Sequence, residues 1–126
     1  LHLSINGGIS SLTEAKRLLD AGLDGVMIGR AAYQRPYDIL AGIDQEIFFE
    51  DSRVCAKEVV RRMMPYIERH IKEGGKLNHI TRHMLGLFAG QGGARKWRRL
   101  LSERGHVSGV ELVLEALRQV DRSIAY

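Results

Sequence analysis

The chain contains 126 residues, with 19 Lys and Arg against 15 Asp and Glu, and its formal net charge is +4. No apolar run approaches the roughly eighteen residues that a membrane-spanning helix needs, which excludes an integral helical membrane protein. The single cysteine, Cys55, excludes an internal disulfide and is compatible with a reducing compartment. We therefore expect a soluble cytoplasmic protein without a membrane partner.

The first thirty or so residues predict a strand, a helix and a second strand. Residues 1–9 and 25–33 each contain a short apolar run that leads into a glycine-containing loop. Between them, Ser11-Leu-Thr-Glu14 is a capping box that marks the start of a helix. The buried stripe of this helix is predicted to be Leu12, Ala15, Leu18 and Leu19. Together these elements form a compact βαβ unit.

The two loops that follow the predicted strands are Asn6-Gly7-Gly8 and Gly29-Arg30. In a (β/α)8 barrel, the loops after the seventh and eighth strands hold a phosphate through backbone N–H groups. In that position Asn6, Gly7, Gly8 and Gly29 would offer backbone donors, and Arg30 would offer a charged fork. A simple tight turn is the alternative explanation for each glycine. A complete barrel needs about 250 residues, so we expect this chain to be a piece of a longer protein.

Charge divides the chain near residue 50. Residues 1–50 carry four Lys and Arg against seven Asp and Glu, whereas residues 51–126 carry fifteen against eight. Residues 33–49 predict a connector, in which Pro36 fixes a turn and Gly42 interrupts any long helix. We therefore predict domains at 1–50 and 51–126. The basic second domain suits a polyanionic partner, although a solvated basic face would explain the same asymmetry.

The second domain predicts a four-helix bundle. A first helix runs from Ser52 to about Lys72, with a kink expected at Pro65 and a stop at Gly74-Gly75. A second helix is predicted over residues 77–89, with one apolar face that consists of Leu77, Ile80, Met84, Leu87 and Phe88. The last helix follows a second capping box, Ser108-Gly-Val-Glu111. Its predicted buried residues are Val110, Val113, Leu114, Leu117 and Val120.

The other face of the predicted second helix is polar. Helical spacing would align His79, Arg82, His83 and Gly86 in one continuous stripe. His79 and His83 have the spacing of a metal-binding pair, but no carboxylate or cysteine motif accompanies them, and we predict no metal. The functional interpretation is that this stripe donates hydrogen bonds to a sugar-phosphate backbone. The alternative explanation for Gly86 is that a neighbouring helix packs against it.

The predicted third helix begins after Gly93 and places basic residues in its first turn. Arg95 and Lys96 oppose the helix dipole there, and Arg98 and Arg99 extend the basic face. A bound phosphate would explain this arrangement, whereas the alternative is a poorly optimised surface helix. The predicted buried face of the helix is Ala94, Trp97, Leu100 and Leu101. Trp97 is thus predicted to pack in the core and not to stack on a base.

Five motifs occur in the order found in one enzyme family: Ser4-Ile-Asn-Gly-Gly-Ile9, Asp24-Gly-Val-Met-Ile-Gly-Arg30, Ala32-Tyr-Gln-Arg-Pro36, Leu77-Asn-His-Ile-Thr-Arg-His-Met-Leu-Gly-Leu-Phe88 and Gly93-Ala-Arg-Lys-Trp-Arg-Arg-Leu-Leu101. In these motifs the chain resembles the tRNA-dihydrouridine synthases, particularly their A-type subfamily. The resemblance implies the last βαβ unit of an FMN-binding TIM barrel, followed by a C-terminal helical domain that binds tRNA.

The resemblance further implies an oxidoreductase that uses FMN and NADPH to saturate the C5–C6 bond of uridines in the tRNA D-loop. The cysteine that acts as general acid in this family, and its flavin-side lysine and histidine, belong to earlier strands and are not in this chain. The tRNA contacts expected on the helical domain are His79, Arg82, His83, Arg95, Lys96, Arg98 and Arg99. The alternative is a noncatalytic basic helical RNA-binding module that the βαβ segment merely supports.

Overall fold

Two short parallel strands organise the first part of the chain. The computed structural model describes residues 1–124, and its internal contacts divide the chain after Cys55 into two compact units. In the first unit, β1 (Ser4–Asn6) pairs in parallel with β2 (Gly25–Met27), so that Ser4 lies opposite Gly25 and Asn6 opposite Met27. Because the strands are parallel, both carboxyl ends lie at the same edge of the sheet, and the two glycine loops start there.

A pair of hydrogen bonds extends the strand pairing beyond β1 and β2. The backbone N–H of Asp24 donates to the Leu3 carbonyl at 2.9 Å, and the Asp24 carboxylate accepts from the Leu3 N–H at 2.7 Å. Between the strands lies α1 (Leu12–Asp20). The Glu14 N–H donates to Ser11 Oγ at 3.1 Å, and the Glu14 carboxylate accepts from the Ser10 N–H at 3.3 Å. The predicted strand-helix-strand unit and its capping residue are thus confirmed.

Three short helices follow β2, where the sequence predicts a connector. They are α2 (Arg30–Gln34), α3 (Pro36–Leu40) and α4 (Ile43–Glu46), and α2 packs against α3. Pro36 takes the first position of α3, where its missing N–H costs no hydrogen bond, and Gly42 directly precedes α4. The fully buried apolar side chains of the first unit are Ile9, Leu12, Ala15, Ile39 and Ala41.

The second unit begins at α5 (Ala56–Lys72) and also contains α6 (Asn78–Thr81), α7 (Ala94–Arg104) and α8 (Glu111–Ile124). The predicted start of the first helix at Ser52 is wrong by four residues. Residues 52–55 are not helical, and the Val54 N–H instead donates to the carbonyl of Ala41 at 3.2 Å. The predicted end at Lys72 is confirmed, with Gly74 in the left-handed region at φ +96°.

The predicted second helix over residues 77–89 is wrong, because α6 ends at Thr81 after one turn. Beyond it the backbone continues in tight turns, in which the N–H of Met84 donates to Thr81, that of Leu87 to Met84 and that of Gln91 to Phe88. The predicted four-helix bundle is therefore corrected to three long helices and one short helix. Of the predicted apolar face, Leu77, Ile80, Met84 and Phe88 are buried, whereas Leu87 is only partly buried.

Trp97 explains how an irregular segment can pack in the core. It is fully buried on α7, and its indole N–H donates to the Met84 carbonyl at 3.1 Å. Its ring meets that of Phe88 edge to face, with centroids 4.8 Å apart. The indole thus satisfies a buried carbonyl and supplies apolar contact to the same segment. The prediction that Trp97 is a core residue is confirmed.

The start of α7 lies against the backbone of α8. Gly93 precedes α7 with φ +84°, and a Cβ built on it would lie 2.7 Å from the Gln119 carbonyl oxygen and 2.8 Å from the Val120 Cα. A side chain at this position would therefore be both strained and in collision with α8. Close helix packing explains Gly93 without a bound phosphate.

The last helix differs from its prediction in both its first residue and its buried face. It begins at Glu111, whose carboxylate accepts from the Gly109 N–H at 3.0 Å. Hydrogen bonds from the N–H groups of Glu111 and Gly109, with the nearby Arg104 guanidinium, hold the pKa of Glu111 below its usual value. Leu114 is 42% exposed, contrary to expectation. The fully buried residues of α8 are Leu112, Val113, Ala116, Leu117 and Val120.

We expect Trp97→Ala to lower the free energy of unfolding by roughly 3–5 kcal/mol, because it removes a fully buried indole and one of the two hydrogen bonds that the Met84 carbonyl accepts. Trp97→Phe restores most of the apolar volume but no N–H, so it should recover only part of this loss. Denaturant unfolding of both variants tests the assignment. Equal stabilities of Trp97→Phe and wild type would show that the hydrogen bond to Met84 contributes nothing.

Candidate functional site

A cavity of about 730 Å³ lies at the carboxyl ends of β1 and β2. All five predicted cofactor-binding residues line it: Asn6, Gly7, Gly8, Gly29 and Arg30. Its size is in the range typical of small-molecule and cofactor sites. The parallel register brings together two loops that are separated by some twenty residues in the sequence, as the βαβ pattern predicts.

The three glycines of the cavity wall leave its backbone open. Gly7 and Gly8 have φ values of +142° and +68°, which favour glycine, and nothing lies within 4 Å of a Cβ built on either residue. Gly29 differs from them. Its φ is −103°, and a Cβ would make only an ordinary contact of 3.5 Å with the Met27 methyl carbon. The packing of the described residues therefore does not require glycine at position 29.

The charge of the cavity comes from three side chains. Arg30 begins α2, is exposed, and has no ion-pair partner among residues 1–121. Arg35 and Asp38 also line the cavity and form an ion pair, with Arg35 Nε 2.8 Å from Asp38 Oδ2. The sequence analysis did not predict this pair, although Arg35 is part of the motif Ala32-Tyr-Gln-Arg-Pro36. The signal was weak, because helical periodicity does not reveal which side chains face a cavity.

The second unit carries the predicted RNA-binding residues on α6, the following turns and α7. The side chains of His79, Arg82, His83, Arg95, Lys96, Arg98 and Arg99 are all exposed. Those of α7 are not equivalent: Arg99 pairs with Glu103 at 3.0 Å, whereas Arg95, Lys96 and Arg98 have no ion-pair partner within the described part of the chain. Three uncompensated cations thus lie on the first five residues of α7.

The predicted stripe of His79, Arg82, His83 and Gly86 is wrong as a continuous helical face, because α6 ends before Arg82. Arg82 and His83 remain in contact, with Arg82 Nε 3.2 Å from His83 Nε2. His79 instead pairs with α5: its Nδ1 lies 3.1 Å from His70 Nε2 and accepts from the Lys76 N–H at 3.3 Å. These contacts engage one edge of the His79 ring, so only its other edge can meet a ligand.

Residues 1–124 contain neither a candidate metal site nor a candidate membrane span. No cluster of three or more His, Cys, Asp or Glu side chains in that range is arranged to hold a metal ion. Over the same range, none of the helices combines the length and the apolar character that crossing a membrane would require. Cys55 is exposed and does not line the cavity of the first unit.

The sequence profile of the dihydrouridine synthase (Dus) family matches residues 1–124. The chain belongs to the dihydrouridine synthase family. A tRNA-dihydrouridine(20/20a) synthase of Shewanella oneidensis is 51% identical over 127 residues, which cover 98% of this chain and 37% of that protein. The enzymes of the same name from Salmonella typhimurium and Escherichia coli are 54% and 57% identical, over 95% and 91% of this chain. The chain spans about a third of the length of these relatives.

Proposed function

We propose that this chain forms the C-terminal part of an FMN-dependent tRNA-dihydrouridine synthase of the A-type subfamily, which uses NADPH to reduce D-loop uridines to 5,6-dihydrouridine. The observation that carries the proposal is the cavity at the carboxyl ends of β1 and β2, which unites both glycine loops with Arg30. Membership of the dihydrouridine synthase family supports it. We propose that the earlier strands of the barrel, with the catalytic cysteine, complete the enzyme.

The residues of the cavity fit the phosphate of FMN. An approaching anion needs open backbone and positive charge. The cavity offers uncrowded Gly7 and Gly8 together with the guanidinium of Arg30, which has no ion-pair partner among the described residues. Gly29 supports the same interpretation, since no close packing contact among the described residues excludes a Cβ there. When bound, the flavin supplies the hydride that saturates the uracil ring. This chain contributes the binding and orientation of its phosphate end.

The basic side of the second unit fits a tRNA backbone. Arg95 and Lys96 lie in the first turn of α7, where cations are unfavourable for an isolated helix, and no acidic side chain of the described residues pairs with them. Phosphates would offset this cost, because neutralising them releases condensed counterions. His79, Arg82, His83, Arg98 and Arg99 extend the proposed contact. A noncatalytic RNA-binding module would share this surface but would leave the glycine-lined cavity without a role.

In the full-length protein, we expect Arg30→Ala to weaken FMN binding by roughly 1–3 kcal/mol, the usual contribution of a charge-assisted hydrogen bond. Flavin occupancy after gel filtration and dilution measures the effect. Arg17→Ala, which removes an exposed arginine of α1 outside the cavity, is the control. Full FMN retention by Arg30→Ala would show that Arg30 is not a phosphate ligand.

The chain by itself should form no dihydrouridine when it is mixed with tRNA, FMN and NADPH. Protonation of the uracil ring requires a positioned acid, and the only cysteine of the chain, Cys55, is exposed and outside the cavity. Mass spectrometry of the digested nucleosides is the measurement. Turnover that persists in Cys55→Ser would mean that another group of this chain supplies the proton.

Neutralising one true phosphate contact should flatten the slope of log K for tRNA against log salt by about 0.7–0.9, and it should weaken different tRNAs similarly. We expect this of Arg95→Ala and Arg98→Ala in the full-length protein. Arg99→Ala on the same helix is the matched comparison, and its effect should be smaller because Glu103 already pairs with Arg99. Unchanged affinity and slope in the first two variants would identify the basic face as ordinary solvated surface.

A further inference from the structure

The cavity of the first unit contains a second guanidinium group besides Arg30. Arg35 lies between α2 and α3 and lines the same cavity, as does its ion-pair partner Asp38. The side chains of Arg35 and Asp38 are 57% and 46% exposed. Exposed ion pairs of this kind contribute little to the stability of a fold. The pair therefore has no strong structural role that would account for its place in the cavity wall.

The geometry of the pair affects how Arg35 can bind a ligand. Asp38 Oδ2 accepts from Arg35 Nε at 2.8 Å, which engages one side of the planar guanidinium. The two terminal Nη groups of Arg35 still carry N–H donors, and they are arranged as a fork that suits phosphate oxygens. Asp38 thus restricts the rotation of a long side chain that would otherwise sample many rotamers.

The charges that line the cavity sum to +1, which favours an anion such as a phosphate monoester. Arg30 and Arg35 carry two positive charges and Asp38 one negative charge, and no other Asp, Glu, Lys or Arg of the described residues lines it. A phosphate monoester near neutral pH carries up to two negative charges. Arg30 alone would balance at most one of them, and Arg35 is the remaining cation within the cavity wall.

We propose that Arg35, held in position by Asp38, is a second ligand of the flavin phosphate and makes the site select FMN over riboflavin. This inference rests on the proposed function, since it assumes that the cavity holds the phosphate end of FMN. Arg35 contacts the ligand directly, and Asp38 is a positioning residue that acts through Arg35.

The test compares two flavins that differ only by the phosphate. The full-length protein, freed of flavin, is titrated with FMN and with riboflavin, and the quenching of flavin fluorescence gives both Kd values. We expect Arg35→Gln to weaken FMN binding about tenfold, the scale of one charge-assisted hydrogen bond, and to leave riboflavin binding unchanged. Asp38→Asn should weaken FMN binding about threefold, a smaller effect because Arg35 is still present. Arg17→Gln is the matched control outside the cavity.

The outcomes separate this inference from the function on which it rests. If Arg30→Ala lowers the preference for FMN but Arg35→Gln does not, the cavity holds the phosphate and the role of Arg35 is wrong. If the wild-type protein binds no flavin, or binds both flavins equally, the proposed function of the cavity fails. Tighter FMN binding by Asp38→Asn would show that Asp38 only repels the phosphate and does not position Arg35. An equal loss of FMN and riboflavin in Arg35→Gln would also overturn the proposal, because a phosphate ligand cannot affect riboflavin.

Discussion

The parallel register of β1 and β2 is the constraint on which the candidate cofactor site depends. Each strand has only three residues, and so small a sheet is marginal by itself. The hydrogen bonds between Asp24 and Leu3 fix the pairing at one end, and the capped helix α1 connects the strands. A slip of one residue would displace one loop by about 3.3 Å relative to the other. The observed register therefore determines that Gly7, Gly8 and Arg30 share one cavity.

In the second unit, the side chain of Trp97 contacts a buried segment that does not form a regular helix. The backbone between Thr81 and Ala94 folds in turns, in which the Met84 carbonyl accepts from both the Leu87 N–H and the indole N–H of Trp97. The same ring packs on Phe88, so α7 anchors the preceding segment through both polar and apolar contact. At the start of α7, Gly93 permits the close approach of α8. The basic residues of α7 are thereby held on a rigid element.

Some basic side chains of the described residues form ion pairs within the chain, and others have no acidic partner there. Arg99 pairs with Glu103 one turn along α7, as is common on exposed helices, and Arg104 of α7 pairs with Glu115 of α8. Arg95, Lys96 and Arg98 have no such partners among the described residues, and the excess positive charge of the second half of the chain is concentrated partly there. In the first unit the contrast is between Arg30, which has no ion-pair partner among the described residues, and Arg35, which pairs with Asp38. In our interpretation, the cations of the cavity and those of α7 both bind phosphate groups.

The sequence by itself determined the elements whose signals are local. The capping residue Ser11, the strands that end in glycine loops and the burial of Trp97 all follow from residue type and spacing, and the structure confirms them.

Tertiary structure decided the features that depend on contacts between elements. The helix predicted after Leu77 stops at Thr81, where turn hydrogen bonds and the Trp97 indole satisfy the backbone instead. On α8, Leu112 and Leu114 are equally apolar, yet Leu112 is buried and Leu114 is 42% exposed, because packing against neighbouring elements covers one face of the helix. The Arg35–Asp38 pair was likewise invisible to periodicity, because a cavity forms from loops that are distant in sequence.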